Sequence, residues 1–313
     1  MTPADLVRRV VEGTDLRVAI TGATGWFGAT ALDLLYQAYG DSAGERVCAY
    51  ASAPRTTSVA DGREVAVLPL GDLPSQSPAP SIILHFAYLT RDRVADLGVD
   101  AYVRANMSIS ATVLDSVLAH RPLGIVMTSS GAVYGSGARP SADVGSDPYG
   151  ALKRVDELAF RAACDEIGAT LVVPRVFSVA GARMTKPDKY ALGSMIGAAL
   201  SGGPVVVRAS TPVRRSYCGV DEVVALAIWA AACGRPGAWD SGGTVVELGE
   251  LARVVATEFG LDPASVVRSW DPLGPADDYF GVGDRMDVLA AEAGIDLRSL
   301  PSLVRATAEW LSQ

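Results

Sequence analysis

Short apolar runs alternate with longer stretches of helical periodicity through the first half of the chain. Residues 17–20, 47–51, 64–68, 81–86, 124–128 and 170–174 read as strands, most of them apolar without a break, as strands covered on both faces are. Residues 28–39, 99–120 and 149–167 read as the helices between them. This alternation predicts an α/β fold, a doubly wound parallel sheet with helices on both faces. Ahead of it, Thr2-Pro3-Ala4-Asp5 supplies an N-cap, a proline at the first helical position and an acid in the first turn, and Gly13 follows as a stop. That predicts an extra N-terminal helix with a packing role. Residues 69–80, rich in proline, predict a surface connection. After about residue 181 the rhythm loosens into helices near 189–200, 221–233 and 247–259, a short strand at 204–208 and two C-terminal helices.

Composition narrows the classes. With 313 residues, 49% of them hydrophobic, the chain can bury one large core and a smaller lobe. A formal net charge of −8 with no basic stripe argues against nucleic acid as a partner. Cys48, Cys164, Cys218 and Cys233 are widely spaced with no C-x-x-C pair, so buried free thiols are expected rather than a metal site or disulfides. No uninterrupted apolar stretch is long enough for a membrane span, and a soluble, cytoplasmic protein is expected.

Chemistry enters at Thr21-Gly22-Ala23-Thr24-Gly25-Trp26-Phe27-Gly28, between the first strand and the helix after it. Glycines at 22, 25 and 28 permit a tight turn, close approach of the backbone to a pyrophosphate and close helix–strand packing, with phosphates at the helix N-terminus. Gly22, Thr24, Gly25, Trp26, Phe27 and Gly28 are therefore candidate dinucleotide-binding residues. The second strand runs out as Tyr50-Ala51-Ser52-Ala53-Pro54-Arg55, without the carboxylate that would accept from an adenosine ribose. Ser52 can hydrogen-bond and Arg55 can pair with a 2′-phosphate, which favours NADP(H) over NAD(H). A solvated Arg55, with the ribose held elsewhere, is the alternative.

Further along, Tyr149 and Lys153 lie four apart on one predicted helix, so the ammonium can favour the ionised phenol. A phenol of pKa near 10 then becomes a usable acid or base. Thr128-Ser129-Ser130 closes the preceding strand. The order, a dinucleotide loop, a serine at a later strand end, then tyrosine and lysine on the next helix, indicates hydride transfer to or from a nicotinamide.

Together these residues resemble the extended short-chain dehydrogenase/reductases of the nucleotide-sugar epimerase/dehydratase group, over nearly the whole chain. Gly71-Asp72-Leu73 is similar to that family's adenine-contacting turn, and His85-Phe86-Ala87 to its fourth-strand motif. Asn106 falls where the family has a supporting helix asparagine. Ser130-Gly131-Ala132-Val133-Tyr134-Gly135 resembles the catalytic-serine segment, which selects Ser130 over Ser129 and Thr128. Arg215-Ser216-Tyr217-Cys218-Gly219-Val220-Asp221-Glu222 resembles the segment whose arginine holds the substrate diphosphate.

The resemblance implies a Rossmann domain over residues 1–180 and a smaller substrate-binding lobe over 181–313, with about 209–242 returning to the first domain. It implies Ser130, Tyr149 and Lys153 as catalytic residues. Asp72, Leu73, Phe86, Ala87, Tyr149, Lys153 and Phe177 become further cofactor contacts, and Tyr88, Ser178 and Arg215 substrate contacts. Arg175, Arg183, Arg208 and Arg214 are further candidate cations. Two positions depart from the family: Ser178 stands where an asparagine is usual, and Tyr88 where a small residue is common. Gly131 and Ala132 replace the Asp-Glu pair of the 4,6-dehydratases, leaving redox chemistry at one carbon of a nucleoside-diphosphate sugar, as a 4-ketoreductase or a 4-epimerase. A ketoreductase on a non-nucleotide metabolite and an idle dinucleotide sensor are the alternatives. The resemblance also suggests a homodimer through the helices at 99–120 and 149–167.

Overall fold

The strand β1 (Val18–Thr21) is buried along its whole length because it has a neighbour on each side and helices above and below. In this computed structural model, which describes residues 1–135, 137 and 139–313, the chain divides into two compact units. The first unit, residues 1–175 with 224–239, is built on β1. On one side lie β2 (Val47–Ala51), β3 (Arg55–Ser58) and β4 (Glu64–Pro69). On the other lie β5 (Ile82–His85), β6 (Gly124–Met127), β7 (Thr170–Val176) and β8 (Gly237–Asp240). The spatial order is β8-β7-β6-β5-β1-β2-β4-β3, with the two-residue strand Ser129–Ser130 pairing with β7. From β7 through β4 the pairs are parallel, and β3 is antiparallel to its neighbour β4. This is the doubly wound sheet that the alternating pattern predicts.

Chain order reverses at β1, which puts a crevice outside the carboxyl ends of β1 and β5, where such sheets bind their ligands. Flanking the sheet are helices, of which α1 (Pro3–Val11) packs on α2 (Trp26–Tyr39), while α2, α3 (Val99–His120) and α4 (Pro148–Ile167) lie against the strands. Ile83, Ile125, Met127 and Leu171 of the strands close against Val113 and Val117 of α3 and Phe160 and Cys164 of α4. At α1 the expected cap is present as a reciprocal box between Thr2 and Asp5. The proline-rich connection is more than a surface loop. It contains a 3-10 helix, Leu70–Ser75, whose Leu73 is fully buried and whose Leu73 carbonyl accepts from His120 Nε2 at 2.9 Å.

Residues 176–223 and 240–313 form the second unit. Its sheet is centred on Val213–Gly219, antiparallel to Thr244–Glu247 and parallel to Ser178–Ala180 and Asp277–Tyr279. Helices Ala191–Leu200, Leu248–Glu258 and Leu300–Leu311 cover it through Leu192, Ile196, Leu251, Val255 and Leu303. The segment that packs with the first unit is 224–239, shorter than the 209–242 read from the sequence, because residues 213–219 hydrogen-bond within the second sheet. The strand expected at 204–208 contracts to Val206–Val207, paired with Val267–Arg268.

All four cysteines are free, but only Cys164 and Cys218 are buried; Cys48 is half-buried and Cys233 exposed. Among the described residues, no helix is long and apolar enough to cross a membrane, and no group of His, Cys, Asp or Glu is placed to hold a metal ion.

Gly28 packs α2 against the turn after β1 so closely that a Cβ there would stand 2.2 Å from the Gly22 carbonyl oxygen and 2.6 Å from Ala23 Cα. Both neighbours are backbone and cannot swing aside. Gly28→Ala is expected to cost about 1–3 kcal/mol, the range for overpacking. Urea denaturation measures it, and an unchanged midpoint would show that the helix slides without cost.

Candidate active site

β1 and β5 end side by side, with Thr21 opposite His85. Thr21 Oγ1 lies 2.8 Å from His85 Nδ1 and accepts the Ala87 N–H at 3.2 Å, so one hydroxyl fastens both strand ends. The chain then turns at Gly22 with φ of +67°, a conformation open to glycine. A Cβ there would stand 2.6 Å from Ala87 N, which makes Gly22 the point where the two strand ends touch. Gly25 is less constrained, since a Cβ added to it would meet its nearest neighbour at 3.3 Å. It caps α2 without a side-chain hydrogen bond. The positive end of the α2 dipole lies at this turn, a setting that suits an anion.

Ala23 N donates to Tyr50 O at 3.0 Å, so the loop stands level with the end of β2, and Ser52 and Arg55 follow that end as exposed residues. Arg55 opens β3, and its Nε reaches the Ala53 carbonyl at 3.4 Å. Thr24 and Phe27 are half-buried and Trp26 buried, with the Phe27 ring 5.8 Å from that of Phe86. Ala87 is half-buried beside Gly22. Asp72 is exposed, whereas Leu73 offers its side chain only to the core.

At the next strand end, Ser130 is buried and its Oγ accepts the Ala132 N–H at 3.2 Å, capping the turn Gly131–Tyr134. α4 begins at the cap Asp147 and Pro148, which places Tyr149 in the first turn. Gly150 lets that turn dock, since a Cβ there would stand 2.3 Å from the Ala132 carbonyl oxygen. Lys153 is buried, and its ammonium donates to the Thr128 carbonyl at 2.8 Å. Ser130 thus follows the strand end that Lys153 binds, and Tyr149 stands one helix turn before Lys153. Burial lowers the Lys153 pKa to about 8, with Asp156 and Glu157 pulling the other way.

Tyr88 stands between the tyrosine and the lysine. Its ring centroid is 3.5 Å from Lys153 Nζ and 5.9 Å from the Tyr149 ring, met edge-on at 77°. Asn106, buried on α3, receives the Leu89 N–H on Oδ1 at 2.8 Å, and Tyr102 OH donates to the Leu89 carbonyl at 2.7 Å. The family's supporting asparagine position thus anchors the loop that carries Tyr88.

Two groups behind the serine went unread in the sequence. Glu157, four residues past Lys153, accepts from Ser129 Oγ at 2.7 Å and from Arg175 Nε and Nη2 at 2.8 and 2.7 Å. Burial pushes its pKa up, but the hydrogen bonds from Arg175, Ser129 and Arg154 outweigh that and hold the carboxylate below its ordinary value. Arg91 donates to Asp147 Oδ2 at 2.5 Å and lies 5.7 Å from the Tyr149 ring centroid. The spacing of Glu157 from Lys153 on one helix face could have flagged the first; nothing local flags Arg91.

Phe177, Ser178 and Arg215 belong to the second unit. Phe177 N donates to Ser241 Oγ at 2.9 Å, its ring lies 4.8 Å from Tyr279, and Ser178 opens a strand half-buried. Arg215 Nη2 pairs with Asp277 Oδ2 at 2.7 Å, and its Nη1 donates to the carbonyls of Arg214 and Asp277. Among the other cations, Arg175 is bound to Glu157, Arg214 to Asp278, Arg183 lies over Trp310, and Arg208 is exposed.

Residues 18–240 match the model of the NAD dependent epimerase/dehydratase family, and the chain belongs to that family of short-chain dehydrogenase/reductase enzymes. No curated protein matches the chain in sequence. Solved structures do resemble it. A double mutant of DesIV, the dTDP-glucose 4,6-dehydratase of Streptomyces venezuelae with NAD bound, is 23% identical with a TM-score of 0.71, over 95% of this chain and 97% of that one. The UDP-N-acetylglucosamine 4-epimerase of Methanobrevibacter ruminantium, in complex with UDP-N-acetylmuramic acid, is 19% identical with a TM-score of 0.74, over 96% and 99%. The UDP-glucose 4-epimerase of Thermotoga maritima, with UDP-glucose, is 18% identical with a TM-score of 0.72, over 95% and 99%. At these identities the likeness is one of fold.

His85 gives the site a pH signature. Burial, helped by the Lys153 charge, lowers its pKa from 6.5 to about 3. The folded value lies below the unfolded one, so protons favour the unfolded chain between them, and stability falls as pH drops below 6.5. This residue's share of the slope is expected to approach about 1.4 kcal/mol per pH unit. Urea midpoints from pH 7 to pH 4 should therefore fall more steeply for the wild type than for His85→Leu, and parallel curves would contradict a neutral buried imidazole.

Proposed function

We propose that this enzyme transfers a hydride at one sugar carbon, C4, of a nucleoside-diphosphate sugar, as a 4-ketoreductase or a 4-epimerase that uses NADP(H). The observation that carries the reading is the Lys153 ammonium bound to the Thr128 carbonyl, two residues before Ser130 and one helix turn after Tyr149, in a unit that also carries the glycine turn. When bound, the nicotinamide supplies the hydride acceptor or donor. Tyr149 exchanges a proton with the substrate oxygen. Ser130 hydrogen-bonds the same oxygen as charge develops on it, a contribution of about 2.7–4 kcal/mol for one such donor. Lys153 favours the ionised phenol and holds the nicotinamide ribose.

The turn at Gly131 and Ala132 is buried and carries no carboxylate, and Glu157 is committed to Arg175, which supports redox at one carbon over elimination. Sugar nucleotides bound to two of the fold neighbours support the substrate class. Arg215 supports it as the diphosphate cation, released from Asp277 when the diphosphate arrives. In this reading Phe177 is a cofactor contact, and Tyr88 and Ser178 are substrate contacts, as the family resemblance implies. A second reading, ketone reduction on a non-nucleotide metabolite, draws on Arg215 being already paired with Asp277. Exposed apolar residues on α3 and α4, Met107, Leu118, Val155 and Leu158, support a homodimer through these helices. The free thiols are in keeping with a cytoplasmic setting.

A panel of nucleoside diphosphates and their sugars tests the substrate class by thermal shift and by absorbance of the reduced nicotinamide. A bare nucleoside diphosphate is expected to stabilise the wild type. Tyr149→Phe should bind the same ligands and turn over roughly 10²–10⁴ times more slowly. Absence of binding at millimolar nucleotide favours the second reading, and full turnover by the variant removes the mechanism.

Cofactor choice rests on Ser52 and Arg55 standing where the ribose carboxylate is missing. Arg55→Ala is expected to weaken NADPH by about 1.5–3 kcal/mol, the scale of a hydrogen bond to a charged group, and to leave NADH nearly unchanged. Titration of both cofactors by fluorescence measures this, and equal losses would place the role of Arg55 elsewhere.

A further inference from the structure

Tyr88 meets both groups of the tyrosine–lysine pair with one ring. Its face lies 3.5 Å from Lys153 Nζ, well within the roughly 6 Å over which a ring attracts a cation, and it makes a T-shaped contact with the Tyr149 ring at 5.9 Å. The segment that carries it is fixed at both ends. Ala87 N is held by Thr21, and Leu89 is held on its N–H by Asn106 and on its carbonyl by Tyr102. The Tyr88 hydroxyl is buried without a hydrogen-bond partner among the described residues, which costs stability and leaves the ring as the part that offsets that cost.

We infer that Tyr88 is a positioning residue for hydride transfer, its face holding the Lys153 ammonium and its T-shaped ring contact bracing Tyr149, so that the two groups keep one placement. The inference rests on the roles proposed for Tyr149 and Lys153. Other groups also face this pair. His85 on β5 is neutral by burial, and Tyr102 on α3 lies behind Tyr88. On α4, Asp156 is pushed toward its neutral form by burial, while Glu157 is neutralised by Arg175 and Arg154. Arg91, paired with Asp147, lies over the far face of the site at Tyr149. Against that background the ring adds an attraction for the charged lysine that burial opposes, and it adds it at a fixed position.

The chain has only three lysines, 153, 186 and 189, so the question can be read directly by NMR on protein labelled at lysine Cε. Lys153→Arg assigns the signal by removing it. In the wild type the Lys153 methylene is expected upfield of the other two, displaced by the ring current of Tyr88. Tyr88→Phe should keep that displacement and the titration midpoint. Tyr88→Leu should abolish the displacement and lower the midpoint by about one pH unit, the size of a desolvated cation–π contact. The basic limb of kcat/KM should move down with it, since activity needs the charged lysine. If Tyr88→Leu does not fold, the wild-type displacement decides, and its absence overturns the inference. An unchanged midpoint in a folded Tyr88→Leu overturns it as well. Both NMR readings stand whether or not any sugar nucleotide is turned over, so a failure of the substrate assignment is told apart from a failure of this inference.

Discussion

The Thr21 hydroxyl is the interaction on which the site depends. By bonding His85 on one side and the Ala87 N–H on the other, it fixes the ends of β1 and β5 at a separation that only a glycine at 22 can tolerate. The glycine turn is built on the β1 side of that joint and the Tyr88 segment on the β5 side. The two are consequently one rigid piece, and Gly28 extends it into α2.

Much of this was legible in the chain because the signals were local. β2 (Val47–Ala51) and α3 (Val99–His120) begin and end where their patterns do, and the Thr2 cap behaves as its residue types require. The glycine turn after β1 and the placing of Tyr149 and Lys153 one turn apart on α4 follow local spacing in the same way, whereas Ser130 was picked out from Ser129 and Thr128 only by the family resemblance. What escaped depends on partners far along the chain. β3 is a polar edge strand, Arg55-Thr56-Thr57-Ser58, with no apolar alternation to betray it, and it exists because β4 folds back along it. The Val213–Gly219 strand draws its hydrogen bonds from three separate segments. Arg175 looked like a candidate for substrate and is instead the counter-ion of Glu157. Gly25 shows the opposite limit, a motif position whose glycine the packing does not demand.

Charge in this acidic protein is arranged by pairing in place. Glu157 and Arg175 form a two-point contact that also ties Ser129 and Tyr134, so the strand carrying Ser130 is secured from behind by a fully satisfied ion pair. Such a pair adds little net stability over an apolar equivalent, but removing one partner strands the other, which makes it a strong specifier of geometry. Lys153 has a different arrangement. It is buried with a carbonyl and a ring, so its charge is held weakly and can respond to what binds beside it.

The turn at Gly131–Tyr134 carries a consequence for descent. Gly131 and Ala132 are buried, and the carbonyl of Ala132 lies against Gly150 with no room for a methyl group between them. Any side chain at 150 would have to push α4 off that carbonyl. The residue next to Tyr149 is therefore closed to change by descent, since a substitution there would be purged as a folding defect whatever it did for the chemistry.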